Sequence, residues 1–228
     1  MNDKLKQIVN PASTGGLGIH FENRIQASFV VLMLANGFSP CLPLYPIQKI
    51  ELQAKHRNYE TDDLVVYVGK SNTEIKAKLL GQVKHFVRIN NSDSNFKKMI
   101  MAAWADFTNT KVFCKETDKI ALICGPLSKT DTVDVRFLLE QARNTPNFDV
   151  FIERIEQTNF TSNAQRNKLE VFKSALKEAN GYIELTREQL WLFLRSFYLL
   201  IYDLDIQGSV MLSLCKTIIE QQNSCDAD

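Results

Sequence analysis

Residues 79–85 read Leu-Leu-Gly-Gln-Val-Lys-His. Leu79, Leu80 and Val83 make this a buried strand, yet Gln82 and Lys84 stand two apart within it and therefore share a face. Few arrangements tolerate that. Withdrawing an unpaired ammonium from water costs several kcal/mol, and the simplest relief is an acidic group opposite. Asp62-Asp63 meets the need. It opens a second apolar run, LVVYV (64–68), and a polar stretch at 69–76 supplies the turn that would let the two strands pair. A further apolar run, IALIC (120–124), closes on Gly125-Pro126 and reads as a buried strand.

Helical and strand periodicities alternate around these runs. Residues 1–18 are polar, end in GGLG and read as a loose arm. Over 19–35, Phe21, Ile25, Phe29 and Leu32 recur at helical spacing, and Asn36-Gly37 supplies a stop. Prolines 40, 43 and 46 mark a connector. Ile50, Leu52 and Ala54 then alternate with Lys49, Glu51, Gln53 and Lys55 as in a first strand. Phe96, Met99, Ile100, Ala103, Trp104 and Phe107 form one helical stripe, capped by Asp93 or Ser94. The second half reads as helical throughout: 131–143, 148–156, a helix from Ser162 to Gly181, one from Thr186 through Phe197, Leu200 and Ile201, and a last one over 208–222. Ser162/Gln165 and Thr186/Gln189 have capping-box spacing.

Composition narrows the function. With 27 basic and 26 acidic residues the net charge is +1, so any phosphate contact comes from a local patch. Five cysteines without a C-x-x-C pair argue against a disulfide framework and suit a reducing cytoplasm. The polar start lacks a signal-peptide core. LWLFLRSFYLLIY (190–202) is too short to span a bilayer and contains Arg195, so no membrane role is expected. GGLG lacks a preceding strand and a third glycine, and no phosphate-binding P-loop is present. Gly37-Phe38-Ser39-Pro40-Cys41 fails as a nucleophile elbow because Pro follows the serine. His20, His56 and His85 are not at metal-ligand spacing.

The chemistry therefore rests on Asp63, Gln82 and Lys84, with Glu22 at the border of the first helical stripe. Two carboxylates and an amide oxygen form a hard-oxygen set suited to Mg²⁺ or Mn²⁺. Asp62 is the alternative to Asp63 as ligand, and Lys84 would orient the nucleophile or stabilise charge on a phosphoryl group. A second Gln-x-Lys, Gln53-Ala54-Lys55, precedes the acidic pair and reads as a solvated or nucleic-acid-facing strand. Lys49, Lys55, Arg57, Lys97 and Lys98 are the basic side chains available for phosphate contacts. The alternative is a non-catalytic module that binds nucleic acid or a partner, recognised by salt-sensitive, metal-independent binding without cleavage.

Helix, strand, strand, strand, helix, strand, with Glu22, then Asp63, then Gln82-Val83-Lys84, resembles the PD-(D/E)xK nuclease superfamily in the Q-x-K form of Mrr-type restriction endonucleases. The longer wording GLGIHFENRIQASFVVLML, YETDDLVVYV, LLGQVKH, AAWADF and DKIALICGPLS is similar to the N-terminal double-stranded DNA nuclease domain of bacterial antiphage proteins. There the domain is fused to nucleotide-sensing SAVED modules in CBASS effectors, or to STAND ATPases. The resemblance covers at least residues 15–206. It implies an α/β fold with a restriction-endonuclease-like αβββαβ core and a mixed sheet over 1–127, and a helical extension over 128–228 packed on that core. It assigns metal and catalytic positions to Glu22, Asp63, Gln82 and Lys84, with double-stranded DNA as substrate. It further implies a sensor module in the same or a separate polypeptide, and an oligomer when active. Two departures stand out: no Pro precedes the Asp pair, and Gln82 replaces an acid.

Overall fold

The computed structural model describes residues 11–204, 206 and 208–225. Its centre is a five-stranded open sheet in the order β1 (Ile47–Leu52), β2 (Leu64–Ser71), β3 (Glu74–Lys84), β4 (Lys119–Cys124), β5 (Phe197–Ile201). β2 pairs antiparallel with both β1 and β3, whereas β4 runs parallel to β3 and β5 parallel to β4. Helix α1 (Pro11–Leu34) precedes the sheet, and α2 (Ser94–Thr108) makes the crossover from β3 to β4. Between β4 and β5 come α3 (Lys129–Arg143), α4 (Phe148–Glu156), α5 (Asn163–Ala179) and α6 (Arg187–Ser196); α7 (Val210–Cys225) follows β5. The fold is α/β with a mixed sheet.

The alternation of strand side chains divides the core in two. Leu80, Ile120, Leu122 and Phe197 pack with Phe96, Trp104, Leu138, Phe172 and Phe193 of α2, α3, α5 and α6. Leu79, Val83, Ala121 and Ile123 pack with Phe21, Ile25 and Phe29 of α1. The stripes expected on α1 and α2 are the buried ones, and Asp93 caps α2 by accepting from the Phe96 amide at 2.9 Å. Both capping boxes form, at α5 and α6.

Four local expectations are corrected. Residues 11–18 belong to α1 rather than to an arm; residues 1–10 lie outside the described residues. Pro11 suits a first helical position, whose N–H has no partner in any case, and nothing crowds Gly16 or Gly18. The first strand ends at Leu52, because Gln53 turns left-handed (φ 51°) into a 3₁₀ turn, Ala54–Arg57. Most of 69–76 is strand, which leaves only Asn72-Thr73 between β2 and β3. The last correction is the largest. The apolar segment at 190–202 breaks at Ser196, and Phe197–Ile201 becomes β5. Its continuous apolar run fits either period, and pairing with β4 decides for strand.

Candidate active site

In the β2–β3 hairpin, Leu64 lies opposite Gly81. That register sets Asp63, the residue before β2, across from Gln82 and on the same side of the sheet. Gly81 has no side chain because Ile123 fills its place: a Cβ there would stand 2.8 Å from Ile123 Cδ1. The hairpin end thereby packs closely against β4.

Asp63 is the hub. Its Oδ2 accepts from the Val83 amide at 2.7 Å and from Gln82 Nε2, and lies 3.4 Å from Lys84 Nζ. Lys84 also donates to the Val83 carbonyl at 2.9 Å. Asp63 is buried, 8% exposed, while the Lys84 side chain retains 30% exposure. The polar pair on an apolar strand is thus compensated by one carboxylate. Asp63 Oδ1 takes no hydrogen bond from the described residues. Of the acidic pair, Asp63 is the one that meets Gln82 and Lys84. No hydrogen bond among the described residues links the Asp62 side chain to either, and its carboxyl is pushed up by burial and then by the Asp63 charge.

Glu22 reaches this cluster from α1. Gln26 Nε2 bridges them, donating to Glu22 Oε1 at 3.0 Å and to the Asp63 carbonyl at 3.1 Å. Gln53 Nε2 donates to the same Glu22 oxygen at 2.6 Å. Burial, then the Asp63 charge, pushes the Glu22 carboxyl above its ordinary range, opposed by Lys84 and the two amides. Gln53 therefore belongs to the site and not to a solvated strand. Its left-handed backbone costs about 1–2 kcal/mol relative to an ordinary conformation and turns its amide toward α1.

The turn leading into Asp63 is fixed from α2. Asp106, 1% exposed, accepts from the amides of Glu60 at 2.9 Å and Thr61 at 2.7 Å. Burial raises its carboxyl, with the two amides opposing. Gln26 and Asp106 are not among the residues the sequence motifs point to, and Gln53, in the second Gln-x-Lys, meets Glu22 instead of facing solvent or nucleic acid. Gln26 carried a signal, four residues after Glu22 on one helix, as did Asp106, a lone acid beside an apolar stripe. Gln53 carried none.

A shallow cleft of about 360 Å³ opens over Glu22 and Lys84, bordered by Ile19, His85, Phe86 and Asn95. A second cleft of about 670 Å³ continues from it, sharing Phe86 and Asn95 and adding Arg88. Phe86 is 67% exposed, its ring 3.9 Å from that of His85. Of the basic residues expected to meet phosphate, four are drawn to acids. Lys49 lies 2.5 Å from Glu51, Arg57 3.9 Å from Glu51, Lys55 3.8 Å from Glu60 and Lys97 2.7 Å from Glu178. Lys98 is exposed on α2. Arg88 is exposed beside the candidate site.

Among the described residues no three His, Cys, Asp or Glu side chains gather as a metal cluster. The donor set that is present, Asp63 Oδ1, the Glu22 carboxylate and the Gln82 amide after a half-turn of its last torsion, fits a hard cation that keeps several waters. Two like charges held near one another and partly out of water favour such an ion. No family model matches the chain, and neither a curated protein nor a solved structure matches it. Among the described residues no helix is long and apolar enough to cross a membrane.

Proposed function

We propose that this chain is a metal-dependent endonuclease that hydrolyses phosphodiester bonds of double-stranded DNA, built on a restriction-endonuclease-like core and serving as an effector in antiphage defence. The observation that carries the reading is the meeting of Asp63, Gln82 and Lys84 on two neighbouring antiparallel strands, with Glu22 bridged to them. The element order through β4 agrees with an αβββαβ core. Asp63, Gln82 and Glu22 would hold Mg²⁺ or Mn²⁺, which supplies Lewis-acid stabilisation to the scissile phosphate. Lys84, partly exposed beside Asp63, is placed to donate to a phosphoryl oxygen as negative charge builds there. Water oxygen would form the new P–O bond and give up a proton to solvent, the bond to the leaving sugar oxygen would break, and that oxygen would take up a proton from solvent. Phe86 and Arg88 border the face along which a duplex would lie, with contacts to backbone rather than to base edges. The trigger would come from a sensor module in the same or a separate polypeptide.

The test is plasmid nicking with Mg²⁺ or Mn²⁺, together with the sensor if the isolated chain is latent. Asp63→Asn and Lys84→Ala should each lower the rate by about 100-fold or more, the scale of losing a charge-stabilising group. Cleavage at the wild-type rate by both variants would overturn the site. A binding module without catalysis is the second reading, favoured by Gln82 standing where an acid would strengthen the metal grip. Metal-independent, salt-sensitive DNA binding without cleavage would decide for it.

A further inference from the structure

At the opposite end of the sheet lies a cleft of about 400 Å³ that the candidate active site does not use. Lys119 opens β4, whereas Cys124, which pairs with Lys84, closes it. Five strand steps, ~16 Å, separate the two levels. Lys115, Lys119, Arg143 and Arg195 line this cleft, and Glu116 is its sole acidic lining residue. All four cations are half-buried, and among the described residues none makes an ion pair. Arg143 donates to the Phe197 carbonyl at 3.0 Å and lies over the Tyr198 ring at 4.2 Å. Arg195 lies over the Trp191 ring at 4.4 Å.

The nearby acids Glu116, Asp118 and Glu140 make no ion pair with these cations. Asp118 accepts from Lys78 Nζ at 2.6 Å, and Glu116 is exposed and accepts from Cys114 Sγ at 3.0 Å. Burial lowers Lys119, with Arg195 and Arg143 pushing the same way and Asp118 opposing; burial also lowers Arg143. Four like charges gathered half out of water, with Glu116, Asp118 and Glu140 nearby but none in an ion pair with them, favour an anion between them. Both guanidiniums are steadied on aromatic faces, which leaves their forked N–H groups oriented for oxyanions. A cleft of about 400 Å³ accommodates a small molecule and not a duplex.

We propose that Lys115, Lys119, Arg143 and Arg195 form a binding site for a small multivalent phosphate anion of the nucleoside-triphosphate or polyphosphate class. The site does not draw on the nuclease reading. Its test is calorimetric titration of the chain with sodium tripolyphosphate, and separately with ATP, without divalent cations and at matched ionic strength. Wild type should bind one anion per chain saturably. Lys119→Met and Arg195→Gln should each weaken binding about tenfold, the scale of losing one charge-assisted contact of about 1.4 kcal/mol. Plasmid nicking by these variants should be unchanged. Thermal unfolding without ligand checks that each variant folds, and Lys115→Gln serves if one does not. Absence of saturable binding to wild type, or unchanged affinity in the folded variants, overturns the site. A duplex arm separates the other source of phosphate. If a short DNA duplex displaces tripolyphosphate and the variants lose duplex affinity equally, the cleft is part of a DNA surface and the proposal fails.

Discussion

Glu22 sits where burial and the Asp63 charge both disfavour its ionised form. Its folded-state pKa therefore lies above the ordinary glutamate value. Between those two values the folded protein binds more protons than the unfolded chain, so Glu22's contribution to stability is lost as pH rises through that window. Asp62, shifted in the same direction, adds to the slope. Thermal unfolding across this range should show metal-free wild type losing stability with rising pH relative to Glu22→Gln. A divalent cation prefers the deprotonated carboxylate, so stabilisation by added Mn²⁺ should grow with pH in wild type and grow less in Glu22→Gln. Equal Mn²⁺ effects at all pH values in both proteins would remove Glu22 from the site. The acid, amide and ammonium at 63, 82 and 84 were legible because an ammonium on a buried strand demands a partner, and a short hairpin allows few. Gln53 was not legible, since its role depends on a left-handed bend and on a helix 31 positions earlier in sequence.

At the scale of elements, the strand that carries the candidate site is held by its neighbours rather than by itself. Asp106 ties α2 to the turn at Glu60 and Thr61, which delivers Asp63. Asp106→Ala would strand two amides in a buried turn, costing about 2–4 kcal/mol as measured by denaturant unfolding. Loss of nicking under conditions where the variant remains folded would separate this positioning from stability alone. A change below 0.5 kcal/mol, on the order of an exposed substitution, would contradict the buried role. Capped helices with one apolar stripe were readable from residue spacing, as at α2, α5 and α6. β5 was not, because FYLLI is apolar at every position and only the free edge of β4 tells strand from helix.

At the scale of the whole molecule, the late strand binds the two halves of the chain together. Phe197 packs edge-on to Phe172 at 5.6 Å and stacks on Phe193 at 5.6 Å. Phe193 in turn meets Trp104 at 5.8 Å and Phe107 at 5.4 Å on α2. Phe197→Ala should cost about 3–5 kcal/mol and lower the midpoint of one cooperative transition, seen alike by tryptophan fluorescence and far-ultraviolet dichroism. A fragment of residues 1–127 should fail to unfold cooperatively, since it leaves one face of β4 and the apolar stripe of α2 uncovered. Two separate transitions for the full chain would contradict this coupling. The central claim, that Asp63, Gln82 and Glu22 surround a divalent cation, is tested most directly by anomalous diffraction from crystals soaked in Mn²⁺. The account predicts a peak roughly 2.0–2.3 Å from Asp63 Oδ1. A well-ordered Asp63 that still contacts only Val83, Gln82 and Lys84 at saturating Mn²⁺, with no peak beside it, would contradict it.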